Sequence, residues 1–195
     1  ACLSPVWDTS LSLLGLLDSG VNPEDPLIQR SAQWLLDEEI RTRGDWAVNV
    51  PNLEPSGWAF EFENDSYPDI DDTSIVVMSL ALTRLVSQEG EYDRRQAIDR
   101  AVRWLTGMQS TNGGWAAFDR NNTSNYLAKI PFADFGELID PPSVDVTAHV
   151  LEMFGRLGYT RQNAAVRKGL AYVRNRQEDD GSWFGRWGVN HVYGT

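Results

Sequence analysis

Gly107-Met108-Gln109-Ser110-Thr111-Asn112-Gly113-Gly114-Trp115 closes an amphipathic run, and its ending returns elsewhere in the chain. Gly44-Asp45-Trp46 precedes it and Gly181-Ser182-Trp183 follows, so that Trp46, Trp115 and Trp183 stand 69 and 68 residues apart. An aromatic sits upstream in each unit, at Trp34, Trp104 and Tyr172, with separations of 70 and 68. Gln109 and Gln177 precede the last two Gly-x-Trp endings, and Glu39 takes that place in the first. A near-constant period in several markers defines a repeat, the first property to look for in an unfamiliar chain. A Gln in the last helical turn can satisfy free carbonyls, Gly permits the reversal, and the Trp face covers the joint. These tryptophans read as packing elements and not as substrate contacts.

Each unit reads as two helices. The first begins at Asp8-Thr9, Asp72-Thr73 or Val146-Thr147 and runs to Leu17, Leu85 or Leu157. Polar residues stand at the starts, and Gly20, Gly90 and Gly158 lie near the expected ends. The second helix is amphipathic: Ile98, Ala101, Leu105 and Met108 share one face, as do Val166, Leu170 and Val173. Pro26 suits the first turn of the earliest one. The chain is therefore expected to be all-α, with residues 1–195 forming one partial α/α toroid of three helical hairpins. First helices are expected inside and second helices outside.

The middle inner helix begins with Tyr67-Pro68-Asp69-Ile70-Asp71-Asp72-Thr73, three carboxylates ahead of an apolar run. Such acids serve as an N-cap, accepting free N–H groups at the positive end of the helix dipole. They serve equally as a Brønsted acid if burial and mutual repulsion keep one carboxyl protonated against that dipole. Two segments exceed what a connector needs and are expected to be functional or lid-like. One runs from Gly44 to Asp69 and carries Trp58-Ala59-Phe60-Glu61-Phe62; the other runs from about Asp119 to Ser143 and carries Asp134-Phe135. Both lead into inner-helix starts, so their aromatics should gather at the end that holds Asp69, Asp71 and Asp72. His149 lies four residues after Asp145 on one helix face. It reads either as a simple i, i+4 pair or as a partner of the acid, itself oriented by Asp145.

Composition narrows the chemistry. A net charge of −11 argues against nucleic acid, which needs a positive footprint. The single Cys2 excludes an internal disulfide framework and fits a reducing compartment. No apolar stretch is long enough to span a bilayer and no secretory signal leads the chain, which opens without Met and reads as part of a longer protein. Two histidines and one cysteine offer no zinc spacing, and no phosphate loop, dinucleotide fingerprint or Gly-x-Ser-x-Gly elbow is present. What remains is carboxylate chemistry among 8 Trp, 6 Tyr and 7 Phe. Aromatic faces attract cations, more strongly where water is excluded, and an enzyme steering a carbocation needs them because lone pairs would trap it.

Asp69-Ile70-Asp71-Asp72-Thr73 resembles the acid motif of squalene–hopene cyclases, and the Gln-to-Trp endings resemble that family's QW repeats. Ser4-Pro5-Val6-Trp7-Asp8-Thr9, Asp140-Pro141-Pro142-Ser143, Asp145-Val146-Thr147-Ala148-His149 and Gly181-Ser182-Trp183-Phe184-Gly185-Arg186-Trp187-Gly188-Val189-Asn190 extend the likeness over essentially the whole chain. The resemblance implies the central part of a longer enzyme that cyclises squalene by protonation, without metal or redox cofactor. It implies Asp71 as proton donor, Asp69 and Asp72 as its charge partners, His149 supported by Asp145 as its hydrogen-bond partner, and Tyr193 in a reprotonating water network. Trp7, Phe60, Phe118 and Trp187 would line the cavity and stabilise cations. It further implies monotopic association with the cytoplasmic side of a membrane and allows a homodimer of the full-length enzyme. Another linear polyprene as substrate, or a non-catalytic helical-toroid binding module, remain alternatives. Glu39, Phe118 and His191 depart from the family pattern, and Glu39 is expected to loosen the first hairpin.

Overall fold

A computed structural model describes residues 3–123 and 139–195. Its helices are α1 (Pro5–Asp18), α2 (Pro26–Asp37), α3 (Ile70–Leu82), α4 (Gln88–Met108), α5 (Val144–Arg156), α6 (Ala164–Arg174) and the short α7 (His191–Gly194). Among the described residues only isolated bridges stand in for β-structure. The expected segment around Asp134 and Phe135 lies outside the described residues.

The six long helices form two layers. α1, α3 and α5 lie side by side, each packed by the helix that follows it, and α2 touches α4. α3 is the centre of the inner layer. Every residue from Ile70 to Leu80 is buried, as a helix flanked on both sides and from behind must be. The outer helices instead show one apolar stripe: α2 buries Ile28, Ala32 and Leu35, and α6 buries Ala165, Val166, Gly169 and Tyr172. One continuous core joins the layers, with Trp58, Trp104, Trp115 and Phe154 among its largest fully buried side chains. This is the all-α partial toroid of three hairpins that the repeat predicts, with the first helix of each hairpin in one shared layer. α1 and α5 end as expected, at Gly20 and Gly158 with φ of +91° and +83°. Gly90 does not end α3. It lies in the first turn of α4, its N–H held by the Ser87 hydroxyl, and Thr83 ends α3 in extended backbone.

The repeat itself needs one correction. Trp115 is fixed at three points: its indole N–H donates to the Leu105 carbonyl of α4, its backbone N–H to the Thr147 hydroxyl of α5, and its carbonyl accepts from Ser143 N–H. Trp183 makes the corresponding bonds to the Val173 carbonyl and the Thr195 hydroxyl. In the first unit the residue with these bonds is Trp58, to the Leu35 carbonyl, the Thr73 hydroxyl and Asp69 N–H. Trp46 is not the counterpart. It packs edge-on against Trp104 with ring centroids 5.8 Å apart, inside an excursion between Arg41 and Pro55 that displaces the true ending. Its apparent period of 69 is a coincidence of insertion length.

Glu39 does not loosen the first hairpin either. Its carboxylate takes two guanidinium bonds from Arg100 of α4, the Nε one at 3.0 Å, and one from the Ser56 hydroxyl at 2.8 Å. Gln109 closes its own loop by donating to the Gly113 and Ala165 carbonyls. The two residues make the same joint with opposite hydrogen-bond polarity.

Candidate active site

Trp7, Asp71 and Asp145, in the first turns of α1, α3 and α5, and Tyr193 of the short α7 each stand two residues before a Thr. Three of the four, Trp7, Asp71 and Tyr193, line a cavity of about 500 Å³. Phe60, Phe118 and Trp187 complete its aromatic wall, and Asp69 and Asp72 join Asp71 at its acidic end. The long first loop thus delivers Phe60 to the acids as expected, while Trp58 enters the core and Phe62 points to solvent. Glu61, Asn64 and Tyr67 also line the cavity and were not anticipated. Only Tyr67 carried a signal, its place directly ahead of the acids; it donates to Asp45 at 2.9 Å.

The three carboxylates do different things. Asp69 is the N-cap of α3, its Oδ1 accepting from the N–H groups of Asp71 at 2.6 Å and Asp72 at 3.3 Å. Burial, followed by the charge on Asp71, pushes its pKa up to about 8 despite those two donors. Asp72 is pushed up to about 9 by burial and by the charges of Asp69 and Asp71, and one of its oxygens is buried without a partner. Burial and mutual repulsion therefore keep protons in this cluster at neutral pH. Among the described residues, Asp71 is the one of the three with a basic partner: its Oδ1 lies 2.6 Å from Nδ1 of His149. That contact raises the pKa of His149 above the usual histidine value, with burial opposing. His149 in turn sits against Trp7, ring centroids 6.3 Å apart. The imidazole so belongs to the acid, and the i, i+4 reading of it with Asp145 is not what the structure shows.

Asp145 is buried, but both its oxygens are engaged with backbone: Oδ2 accepts from Trp187 N–H at 3.0 Å and Oδ1 from Val146 N–H at 3.1 Å. Among the described residues no hydrogen bond joins it to His149, and it acts on the imidazole only through charge, the weakest of the influences that raise it. Trp187 meets Phe118 edge to face, centroids 6.3 Å apart and planes at 86°. Tyr193 is raised by burial and by the charges of Asp71 and Asp145. Among the described residues no group of three or more His, Cys, Asp and Glu is arranged to hold a metal ion.

Such a site can protonate an apolar molecule and shelter the cation that results. The sequence profile of the squalene-hopene cyclase C-terminal domain matches residues 3–195. Squalene–hopene cyclases from Alicyclobacillus acidocaldarius and Bradyrhizobium diazoefficiens are 51% and 47% identical to the whole chain, which covers 30% and 29% of their lengths. A dammaradiene synthase from Dryopteris crassirhizoma is 43% identical over 99% of the chain and 29% of its own length. The chain thus spans about a third of the relatives it matches, and it belongs to the squalene–hopene cyclase family.

Proposed function

We propose that this chain supplies the proton-donating end of a cyclase that converts squalene to hopanoid-type triterpenes through carbocations. The observation that carries the reading is the 2.6 Å contact between Asp71 and His149 beside a cavity walled by aromatic rings. Asp71 gives its proton to a terminal alkene carbon. A C–H bond forms from the π pair, and the neighbouring carbon becomes a tertiary cation. His149, cationic, donates to the other oxygen of Asp71 and stabilises the carboxylate left behind. Asp69 and Asp72 hold protons nearby and keep negative charge from accumulating there. Trp7, Phe60, Phe118 and Trp187 offer ring faces to successive cations and no lone pair that would end the cascade. Tyr193 stands where water could return the proton to Asp71. A hydrocarbon substrate places the full-length enzyme at a membrane surface; no described helix is long and apolar enough to cross one.

The test is Asp71→Asn in the full-length enzyme, with squalene consumption followed by gas chromatography. Loss of an obligatory general acid lowers turnover by at least about 10²-fold. Undiminished cyclisation would remove Asp71 from the mechanism.

A further inference from the structure

Phe118 belongs to a turn that is held from two sides. On one side Ile70 N–H of α3 donates to the Ala117 carbonyl at 2.7 Å, tying the turn to the residue beside Asp69 and Asp71. On the other, a single carboxylate takes three consecutive backbone N–H groups: Asp140 Oδ1 accepts from Ala117 at 3.3 Å, and Oδ2 from Phe118 at 2.6 Å and Asp119 at 2.8 Å. Asp140 is itself anchored, its own N–H donating to the Asn122 carbonyl at 3.0 Å, and only 8% of its surface is exposed. It does not line the cavity. Burying a carboxyl is costly unless it is well hydrogen-bonded, and here the donors belong to a turn that carries a cavity-wall ring. The neighbouring wall ring is held in the same manner, because Trp187 N–H is taken by Asp145 and the ring meets Phe118 edge to face.

We infer that Asp140 is a positioning residue: by fixing the Phe118 turn against α3 it sets the place of that ring relative to the cation formed beside Asp71, and so the share of substrate released incompletely cyclised. This rests on the cationic reading above. A ring displaced by a fraction of an ångström to an ångström still fills space, but it no longer faces the charge where the attraction is strongest.

The experiment compares Asp140→Ala, Asp140→Glu, Phe118→Ala and the double variant Asp140→Ala/Phe118→Ala in the full-length enzyme. Two readouts are needed. The first is the ratio of partially to fully cyclised products from squalene. The second is the Kd of a long-chain alkyl dimethylamine, whose ammonium mimics the cation without turnover. Asp140→Ala should raise the partially cyclised share in the direction of Phe118→Ala, weaken the amine roughly 2- to 30-fold, and add little in the double variant. Asp140→Glu keeps the charge but moves the oxygens by one methylene, and it should shift both readouts less. It decides the matter if the alanine variant does not fold. A folded variant with lower Tm but wild-type product ratio and wild-type amine affinity overturns the inference. If wild-type enzyme does not cyclise squalene, the proposed reaction falls, while the amine affinities still report on Asp140.

Discussion

At the residue scale, one contact determines how the acids divide their work. Three carboxylates within four positions cannot all be charged cheaply when buried. Asp69 and Asp72 meet that cost by holding protons, with pKa values near 8 and 9. Asp71 is the one of the three with an imidazole against it, so the carboxylate left after it gives up a proton has a hydrogen-bond donor at 2.6 Å. The imidazolium is favoured by that pairing, so it persists to higher pH than an ordinary histidine's and is lost as pH rises through its raised pKa. Turnover of the full-length enzyme should accordingly decline on the alkaline side. His149→Phe should change the shape of this limb, leaving the part set by Asp69 and Asp72, and lower kcat about 10- to 100-fold, the worth of one hydrogen bond to a charged group. A pH–rate profile with an unchanged alkaline limb in His149→Phe would show that the limb belongs to another group.

At the element scale, the joint between an outer helix, a Trp and the next inner helix is the unit that repeats. Thr147 connects two of its parts, receiving the buried Trp115 N–H at 2.9 Å. Thr147→Val keeps the shape of the side chain and leaves that N–H without a partner. The expected cost is about 1–3 kcal/mol, read as a lower denaturant midpoint with unchanged slope. The glycine at the same joint has a backbone reason: Gly113 has φ +94°, and an added Cβ would lie 2.6 Å from the Lys168 carbonyl oxygen. The first hairpin shows how far the joint can vary. There a Glu39–Arg100 pair across to α4 replaces the Gln, and an excursion separates Leu35 from its Trp58 partner.

For the whole molecule, three hairpins make an open arc rather than a closed ring. Trp187 and Tyr193 at the cavity are half exposed, and Leu11 and Leu16 of α1 face solvent. The proposed cation chemistry needs a wall on every side, since bulk water reaching a cation would quench it. The 195-residue chain by itself is therefore expected to show no squalene turnover, to bind a hydrophobic dye such as ANS strongly and to remain in solution poorly. Turnover by the isolated chain would overturn this expectation.

The helices were legible along the chain, apart from the end of α3, because 3.6-residue periodicity, Pro26 and the polar caps act within a few residues of the positions they control. The acid motif was legible too, since three carboxylates within four positions at a helix start are local chemistry. Tertiary structure decided which tryptophan is the true partner of Trp115 and Trp183, because equivalence there depends on bonds to Leu35 and Thr73 that span 23 and 15 residues. It decided that His149 turns to an acid 78 positions away instead of to Asp145 on its own helix. It also gave Asp140 and Asp145 to the backbone of cavity-wall residues, a use that no spacing encodes. Hydrogen-bond partners are chosen by proximity in the packed state, and only the packing of helices and loops together brings these groups within reach.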